Sequence, residues 1–249
     1  MNPNAAREPI IKIENLYKKY GDNVVLDGFN LNLYQGENLV IMGKSGSGKS
    51  VMIKCLIGLE IPDSGTIEIM SQKLEHLSLK ALDEIRADIG FLFQGSALYD
   101  SMTVRENLEF PLRRHISKFG NVKDTLPLVE EALQNVGLKN VIDLMPNELS
   151  GGMKRRVALA RTLILKPKII IYDEPTTGLD PITSKEIILL MKSVQEKYKT
   201  SSIIITHDVD CARVIANRMI LLIDGKNYAE GTFAELSTSQ DPKVKAFFK

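Results

Sequence analysis

The sequence predicts an α/β fold in which a parallel-sheet core is interrupted by a helical subdomain. Short apolar runs typical of buried strands occur before residue 95 and again from residue 169 onward. Between them, over about 95–165, strand patterns give way to helical ones, which indicates an insertion into the core. No internal repeat, low-complexity stretch or Gly/Ser linker divides the 249 residues, so we predict one domain spanning 1–249.

The first part of the chain predicts strands that lead into a glycine-rich loop. "IIKIENL" alternates apolar and polar residues, "FNLNL" repeats apolar residues at a period of two, and "NLVIM" enters the loop. A helical pattern follows from Lys49 to Leu59 and ends around Gly58 and the "IPDSG" turn. "TIEIM" and "IGFLF" predict two further strands.

The middle and last parts of the chain differ in pattern. Helices are predicted near 103–110, 125–136 and 151–165. Strands and helices then alternate in the order "KIIIY", a helix over 184–197, "SSIIIT", a helix after His207, and "RMILLI". We therefore place the core at about 1–94 and 166–249 and the helical subdomain at about 95–165.

Composition is that of an ordinary globular protein, with 44% hydrophobic and 25% charged residues. The net charge of +1 provides no basic field for nucleic acid. "MNPNAAREPI" lacks the apolar segment of a secretory signal, and runs such as "MILLI" are too short to span a bilayer, so other chains would supply any membrane part. Cys55 and Cys211 make no metal spacing, which predicts a reduced, cytoplasmic protein. Cys55 is expected in the core, on one helical face with Met52, Leu56 and Leu59.

The segment "GKSGSGKS" matches the phosphate-binding pattern G-x-x-x-x-G-K-[ST]. Glycines let backbone N–H groups curl around phosphates, Lys49 would reach the terminal phosphates, and the Ser50 hydroxyl would ligate Mg²⁺. A flexible Gly/Ser turn would not explain the strand before it and the helix after it. The predicted phosphate ligands are Gly43, Lys44, Ser45, Gly46, Ser47, Gly48, Lys49 and Ser50.

The segment "KIIIYDEP" predicts a buried strand that ends in two acidic residues. Asp173 lies where α/β sheets place ligands and could hold Mg²⁺ through water. Glu174, one residue further on, could polarise an attacking water. The alternative is a solvated acidic turn before Pro175.

Single polar residues end two other predicted strands. Gln94 follows "IGFLF" and could contact the metal and the water, and His207 follows "SSIIIT" and could donate to a γ-phosphate. Each is weak evidence alone, but together they fall at the sheet edge that carries Asp173. Tyr20 offers an aromatic face on which a base could stack, or is an ordinary strand-end tyrosine. His76 and His115 are predicted to be surface residues.

A second anion-binding pattern, "ELSGGMKRR", lies about a hundred residues after the first. Ser150 is a good N-cap, and Gly151 and Gly152 expose N–H groups at a helix start. The alternative is simply a well-capped amphipathic helix. Its apolar face would be formed by Met153, Val157, Ala160 and Ile164, with Lys154, Arg155 and Arg156 pointing away.

The order of Tyr20, the glycine loop, Gln94, "LSGGM", "DEP", "TGLD" and His207 resembles the nucleotide-binding subunit of ABC transporters. The resemblance implies a P-loop (RecA-like) parallel-sheet core, an N-terminal antiparallel β subdomain and the inserted α-helical subdomain. It implies that ATP and Mg²⁺ bind, and that Ser150, Gly151 and Gly152 bind the γ-phosphate held by a partner subunit's glycine loop. It also implies that Glu174 is the catalytic base, His207 the γ-phosphate switch and Asp180 an interface residue.

A narrower resemblance points to the ATPases of Mla-type phospholipid transporters. It rests on "FLFQGSALYDSMTVRENLEFPLR", "LMPNELSGGMKRRVALAR", "DEPTTGLDPIT" and "DPKVKAFF", and on Met153 where most ABC signatures have glutamine. It implies an integral membrane permease, contacted by about 95–107, an MCE-type lipid-binding partner and a location at the cytoplasmic face of the inner membrane. Some relatives carry a C-terminal extension that reaches onto the partner subunit, whereas this sequence ends at Lys249, so the resemblance supports ATP-driven dimerisation but gives no support for a dimer that exchanges tails.

Two other functions remain open at this stage. A soluble ABC ATPase of translation or DNA repair would usually carry two cassettes or long coiled-coil inserts, and neither pattern is present. A catalytically inactive regulatory cassette is opposed by the intact Lys49, Asp173, Glu174 and His207.

Overall fold

The computed structural model describes residues 8–119 and 124–248. Residues 1–7, which begin the segment considered as a secretory signal, and the C-terminal Lys249 lie outside the described part. The strands are β1 (Ile11–Tyr20), β2 (Asn23–Leu33), β3 (Asn38–Met42), β4 (Ser64–Ile69), β5 (Gln72–Lys73), β6 (Ile89–Leu92), β7 (Ile169–Asp173), β8 (Ser201–Ile205), β9 (Arg218–Ile223) and β10 (Lys226–Gly231).

The helices of the described residues are short to medium in length. They are α1 (Lys49–Leu56), α2 (Leu79–Ala87), α3 (Val104–Arg114), α4 (Leu126–Asn135), α5 (Gly151–Leu163), α6 (Pro181–Tyr198), α7 (Val209–Ile215), α8 (Phe233–Ser237) and α9 (Pro242–Lys245). Single 3₁₀ turns occur at Leu74–His76, Ile116–Phe119 and Pro146–Glu148.

The chain forms two compact units, one of residues 1–86 with 201–249 and one of residues 87–200. The second unit contains β6, β7 and α6 as well as the helices predicted for the insertion. The subdomain boundaries near 95 and 165 therefore stay a prediction.

Two sets of strands organise the first unit. An antiparallel sheet has the order β2-β1-β4-β5, and its apolar residues pair across strands, as when Ile13 of β1 faces both Leu31 and Ile67. In the other set, β3 lies between β8 and β9 and is parallel to both, and β10 pairs antiparallel with β9. All five residues of β3 and of β8 are buried, which explains why their side chains, apart from that of Asn38, are apolar or small.

The second unit is built around α5. β6 and β7 pair in parallel, with Ile89 opposite Ile169. α5 packs against β6 and against α3, α4 and α6. The contact with β6 requires a glycine, because a Cβ at Gly90 would lie 2.5 Å from Cγ2 of Thr162.

Three sequence predictions need adjustment. α1 ends at Leu56, because Gly58 takes a positive φ of +68° and the N–H groups of Gly58 and Leu59 return to carbonyls in the last turn. Leu59 is consequently 64% exposed instead of lying in the core, although Cys55 is buried as predicted. α2 and β10 were not predicted from the sequence. α2 is a short amphipathic helix and β10 is a half-exposed strand, so neither leaves a strong hydrophobic pattern. His76 is exposed, whereas His115 is half-buried.

Candidate nucleotide-binding site

The glycine loop follows β3 directly and leads into α1. Gly46 and Gly48 have φ values of +79° and +104°, which side-chain-bearing residues rarely adopt. A Cβ at Gly48 would lie 2.7 Å from the carbonyl oxygen of Val25, and one at Gly43 would lie 2.4 Å from Oγ of Ser47. The loop therefore requires glycine at positions 43 and 48, because a side chain at either position would collide with a neighbouring atom.

The Lys49 side chain folds back over this loop. Its Nζ donates hydrogen bonds to the carbonyl oxygens of Gly43 at 2.7 Å and Lys44 at 2.9 Å. Lys49 is also the first residue of α1, whose opening N–H groups have no partners within the helix. An ammonium group and a helix N-terminus thus share one loop, and this arrangement favours binding of phosphate. Ser50, in the first turn of α1, is exposed.

In the first unit, His207 follows β8 at the same sheet edge at which the glycine loop follows β3. β8 runs parallel to β3 with Ile205 opposite Ile41, so the residues that follow both strands reach the same edge. His207 is exposed, and the next residue, Asp208, caps α7 by accepting from the backbone N–H of Cys211 at 3.1 Å. Tyr20 ends β1, is 45% exposed, and has Nζ of Lys18 at 5.3 Å from its ring centre.

In the second unit, the parallel pairing of β6 and β7 aligns the predicted catalytic residues. Leu92 pairs with Tyr172, so Gln94 and Glu174 each lie two residues beyond a paired position. β6 ends at Leu92, which places Gln94 in the loop after the strand rather than at its end, with an exposed side chain.

The Glu174 carboxylate is held by the loop that follows it. Glu174 has a φ of +49°, uncommon for a residue with a side chain. Oγ1 of Thr177 donates to its Oε2 at 3.1 Å. The carboxylate is therefore oriented by a hydrogen bond as well as by the backbone.

The second anion-binding pattern forms the predicted helix start. Ser150 caps α5 by accepting from the backbone N–H of Met153 at 3.2 Å. A Cβ at Gly152 would lie 2.7 Å from Cγ2 of Thr183, so the start of α5 approaches the first turn of α6 closely. Asp180 caps α6 through the N–H groups of Ile182 and Thr183, and hydrogen bonds from Thr183 lower the pKa of the Asp180 carboxyl.

Comparison with known proteins identifies the family. Residues 26–177 match the family model described as ABC transporter. The chain belongs to the ABC transporter family. It is an ATP-binding subunit with ATPase activity, as the resemblance in its motifs implied, and its fold is that of ABC cassettes.

Individual relatives extend along almost the whole chain. The intermembrane phospholipid transport system ATP-binding protein MlaF of Haemophilus influenzae is 40% identical over 240 residues, 96% of this chain and 90% of that protein. The methionine import ATP-binding protein MetN of Campylobacter jejuni is 36% identical and covers 96% of this chain and 75% of that one. A dimeric structure of MJ0796, a bacterial ABC transporter cassette, superimposes with a TM-score of 0.80 at 37% identity, over 90% of this chain and 98% of that one.

One of the similar cassettes was solved with a nucleotide bound. A post-hydrolysis dimer of MJ0796 bound to ADP and Pi superimposes with a TM-score of 0.79 at 36% identity, covering 90% of this chain and 98% of that one.

Within residues 8–119 and 124–248 of the ABC subunit, no helix is both long and apolar enough to span a bilayer.

One sequence interpretation of the ABC signature helix is wrong. Arg155 lies away from the face of Val157 and Ala160, but that side of the helix is not solvent-exposed as an amphipathic helix would require, and Arg155 is only 3% exposed. α5 is buried on opposite sides, because the side that carries Arg155 and Thr162 packs against β6, where Oγ1 of Thr162 donates to the carbonyl oxygen of Phe91 at 3.1 Å. The uninterrupted run "VALA" at 157–160 was the available signal, since a helix that is apolar all round is usually buried.

Proposed function

We propose that this subunit powers phospholipid transport by hydrolysing ATP that is shared between two copies of the chain. The observation that carries the proposal is the pair of anion-binding helix starts in one chain. α1 begins behind a glycine loop with a folded-back lysine, and α5 begins behind a serine cap and two glycines. The ABC resemblance implies that each ATP is bound by the glycine loop and α1 of one copy and by the start of α5 of the other copy. The two anion-binding helix starts of one chain would then serve two different ATP molecules.

The chemistry is assigned to side chains whose surroundings suit it. The glycine loop and Lys49 bind the phosphates, and Glu174 accepts the proton of the attacking water. His207 donates a hydrogen bond to the γ-phosphate, and the exposed ring of Tyr20 stacks on the base. Ser150, Gly151 and Gly152 bind the γ-phosphate held by the partner subunit, and Asp180 lies at the interface between the two copies.

Mg²⁺ is the expected metal, with Ser50, Gln94 and Asp173 as its ligands. A hydroxyl, an amide oxygen and a carboxylate are the hard oxygen donors that Mg²⁺ prefers. Among the described residues no group of three or more His, Cys, Asp or Glu could hold a metal ion. When bound, the metal would neutralise charge on the phosphates.

An aromatic surface in the second unit is our candidate for docking on the permease. Phe93, Tyr99 and Phe110 are each between 43% and 44% exposed, and the rings of Tyr99 and Phe110 lie 4.9 Å apart. Large exposed aromatic groups of this kind are typical of interface anchors. Within the predicted permease-contact segment of about 95–107, two residues suit this role less well, because Ser96 is buried and Arg105 is paired with Glu109 at 2.7 Å.

The proposed partners are an integral membrane permease and an MCE-type lipid-binding protein, with this subunit at the cytoplasmic face of the inner membrane. The 40% identity with an intermembrane phospholipid transport protein supports this assignment. Affinity purification of the tagged full chain from detergent-solubilised membranes tests it. We expect a multi-spanning permease and an MCE protein to co-purify, and ATPase activity to rise when the complex is placed in phospholipid vesicles. Purification without any membrane protein would instead favour a soluble ABC ATPase.

A further inference from the structure

Arg155 joins three functional segments of the second unit. Its guanidinium donates to the carbonyl oxygen of Phe93 at 2.7 Å, to that of Gln94, and to that of Thr177 at 3.3 Å. Arg155 lies in α5, four residues after Gly151, the first residue of that helix. One side chain therefore ties the signature helix to the loop carrying Gln94 and to the loop that follows Glu174.

The contact at Thr177 continues to the proposed catalytic base. The main-chain carbonyl of Thr177 accepts from Arg155, while its Oγ1 donates to Oε2 of Glu174 at 3.1 Å. Arg155 thus reaches Glu174 through one intervening residue. It reaches Gln94 by holding the backbone, which leaves the Gln94 side chain exposed.

The energetics favour a positional role over a simple stabilising one. These three acceptors are neutral carbonyls, and burial lowers the pKa of the Arg155 guanidinium. Its Nε is buried without a hydrogen-bond partner among the described residues. A buried charge that meets only carbonyls is costly, whereas the planar guanidinium can bridge several acceptors at fixed angles.

A second arginine of α5 holds the same loop further along. Arg161 donates to the carbonyl oxygens of Ala97 at 2.8 Å and Ser96 at 3.2 Å. Ser96 and Ala97 have φ values of +63° and +48°, a strained conformation for residues other than glycine. α5 therefore fixes the path of residues 93–97 through four carbonyl groups.

We propose that Arg155 is a positioning residue for ATP hydrolysis, which sets Gln94 and, through Thr177, Glu174 relative to the signature helix. This inference rests on the proposed catalytic role of Glu174. Arg155 need not touch the nucleotide. If a phosphate that binds at the start of α5 shifts the helix, Arg155 would pass that shift to the loop of Gln94 and to the loop that follows Glu174. Phosphate binding would thereby affect the residues that direct the attacking water.

The test compares the turnover and ATP affinity of full-length variants. Arg155→Lys keeps the charge but replaces the planar fork with a single point donor, and Thr177→Val removes only the hydroxyl. Arg86→Lys is the matched control, because Arg86 donates to the carbonyls of Ile57 and Gly58 at 2.9 and 3.0 Å, in the first unit. Measurements are kcat, KM for ATP, the Kd of a fluorescent ATP analogue and the thermal midpoint.

We expect Arg155→Lys to lower kcat at least ~10-fold and Thr177→Val to lower it several-fold, with KM and Kd within about threefold, because small misplacements of catalytic groups are costly. The double variant should lose less than the product of the two single losses, since both act on Glu174. The control should keep its kcat.

Three results would overturn the proposal. One is an Arg155→Lys protein with kcat within twofold of wild type. Another is a fall in thermal midpoint and ATP affinity with kcat unchanged, which would mean a structural role alone. The third applies if Arg155→Lys does not fold. The proposal is then tested with Thr177→Val, and an unchanged kcat for that variant would refute the connection from Arg155 through Thr177 to Glu174. Glu174→Gln, measured in parallel, separates these results from failure of the catalytic assignment, because normal hydrolysis by that variant would refute the assignment itself.

Discussion

Replacing Glu174 by glutamine should separate ATP binding from ATP hydrolysis. Glutamine has the same shape, and its amide oxygen can still accept the hydrogen bond that Oγ1 of Thr177 makes at 3.1 Å. The positive φ of Glu174 is set by the backbone, so the change should leave the loop in place. What is lost is the group that accepts a proton from water.

The expected loss is large because general-base catalysis contributes about 10²- to 10⁴-fold in rate. At about 1.4 kcal/mol for each factor of ten, this corresponds to roughly 3–5 kcal/mol of transition-state stabilisation. ATP affinity should stay the same or increase, because a negative charge near the γ-phosphate is removed. An ATP-bound dimer should therefore accumulate.

The assay is steady-state phosphate release together with the Kd of ATP and size-exclusion chromatography with ATP. Glu186→Gln is a suitable control, because it removes a carboxylate in the same unit whose partner is Arg156 at 2.9 Å and whose side chain is 55% exposed. Such surface pairs contribute little, so its kcat should be unchanged. Hydrolysis by Glu174→Gln within a few-fold of wild type, or a parallel loss of ATP affinity, would refute the role of Glu174.

Three further predictions concern binding and assembly. Gly48→Ala should weaken ATP binding more than Gly46→Ala in a titration with labelled ATP, since its Cβ meets a carbonyl oxygen at 2.7 Å whereas Gly46 faces open space; equal losses would contradict this explanation. Tyr20→Ala should raise the Kd of ATP by about 5- to 150-fold with little effect on triphosphate binding, which corresponds to about 1–3 kcal/mol for base stacking, and an unchanged Kd would remove Tyr20 from the site. Tyr99→Ala with Phe110→Ala should reduce co-purification of the permease while Kd for ATP stays unchanged, and normal assembly would place the docking surface elsewhere.

The fold was largely predictable because its signals are local. The glycine loop, the buried runs of β3 and β7, and the serine cap of α5 each depend on a few adjacent residues. α2 and β10 were not found, because a short half-exposed element leaves little periodicity in the sequence.

The burial of Arg155 could not be predicted from the sequence for a different reason. The helical position suggested an exposed side chain, yet its acceptors lie 62, 61 and 22 residues away in sequence. A single sequence gives no information on which loops return to cover a helix. The same limitation affects Ser96, which is buried although it follows a strand in a polar loop.

The most direct measurement asks whether one nucleotide is shared by two copies of the ABC subunit. One copy carries Lys49→Ala and the other Ser150→Arg, so each homodimer has damage in both of its sites. If the sites are shared, a mixed dimer has one doubly damaged site and one intact site. Random pairing gives roughly half mixed dimers, so hydrolysis could recover to at most about a quarter of wild type.

Vanadate trapping of labelled nucleotide is the preferred readout, because turnover could require both sites whereas trapping needs only one. We predict trapping in the mixture and in neither parent protein. If Lys49 and Ser150 serve the same subunit's nucleotide, every site keeps one lesion, and the mixture will trap nothing even when heterodimers are shown to form.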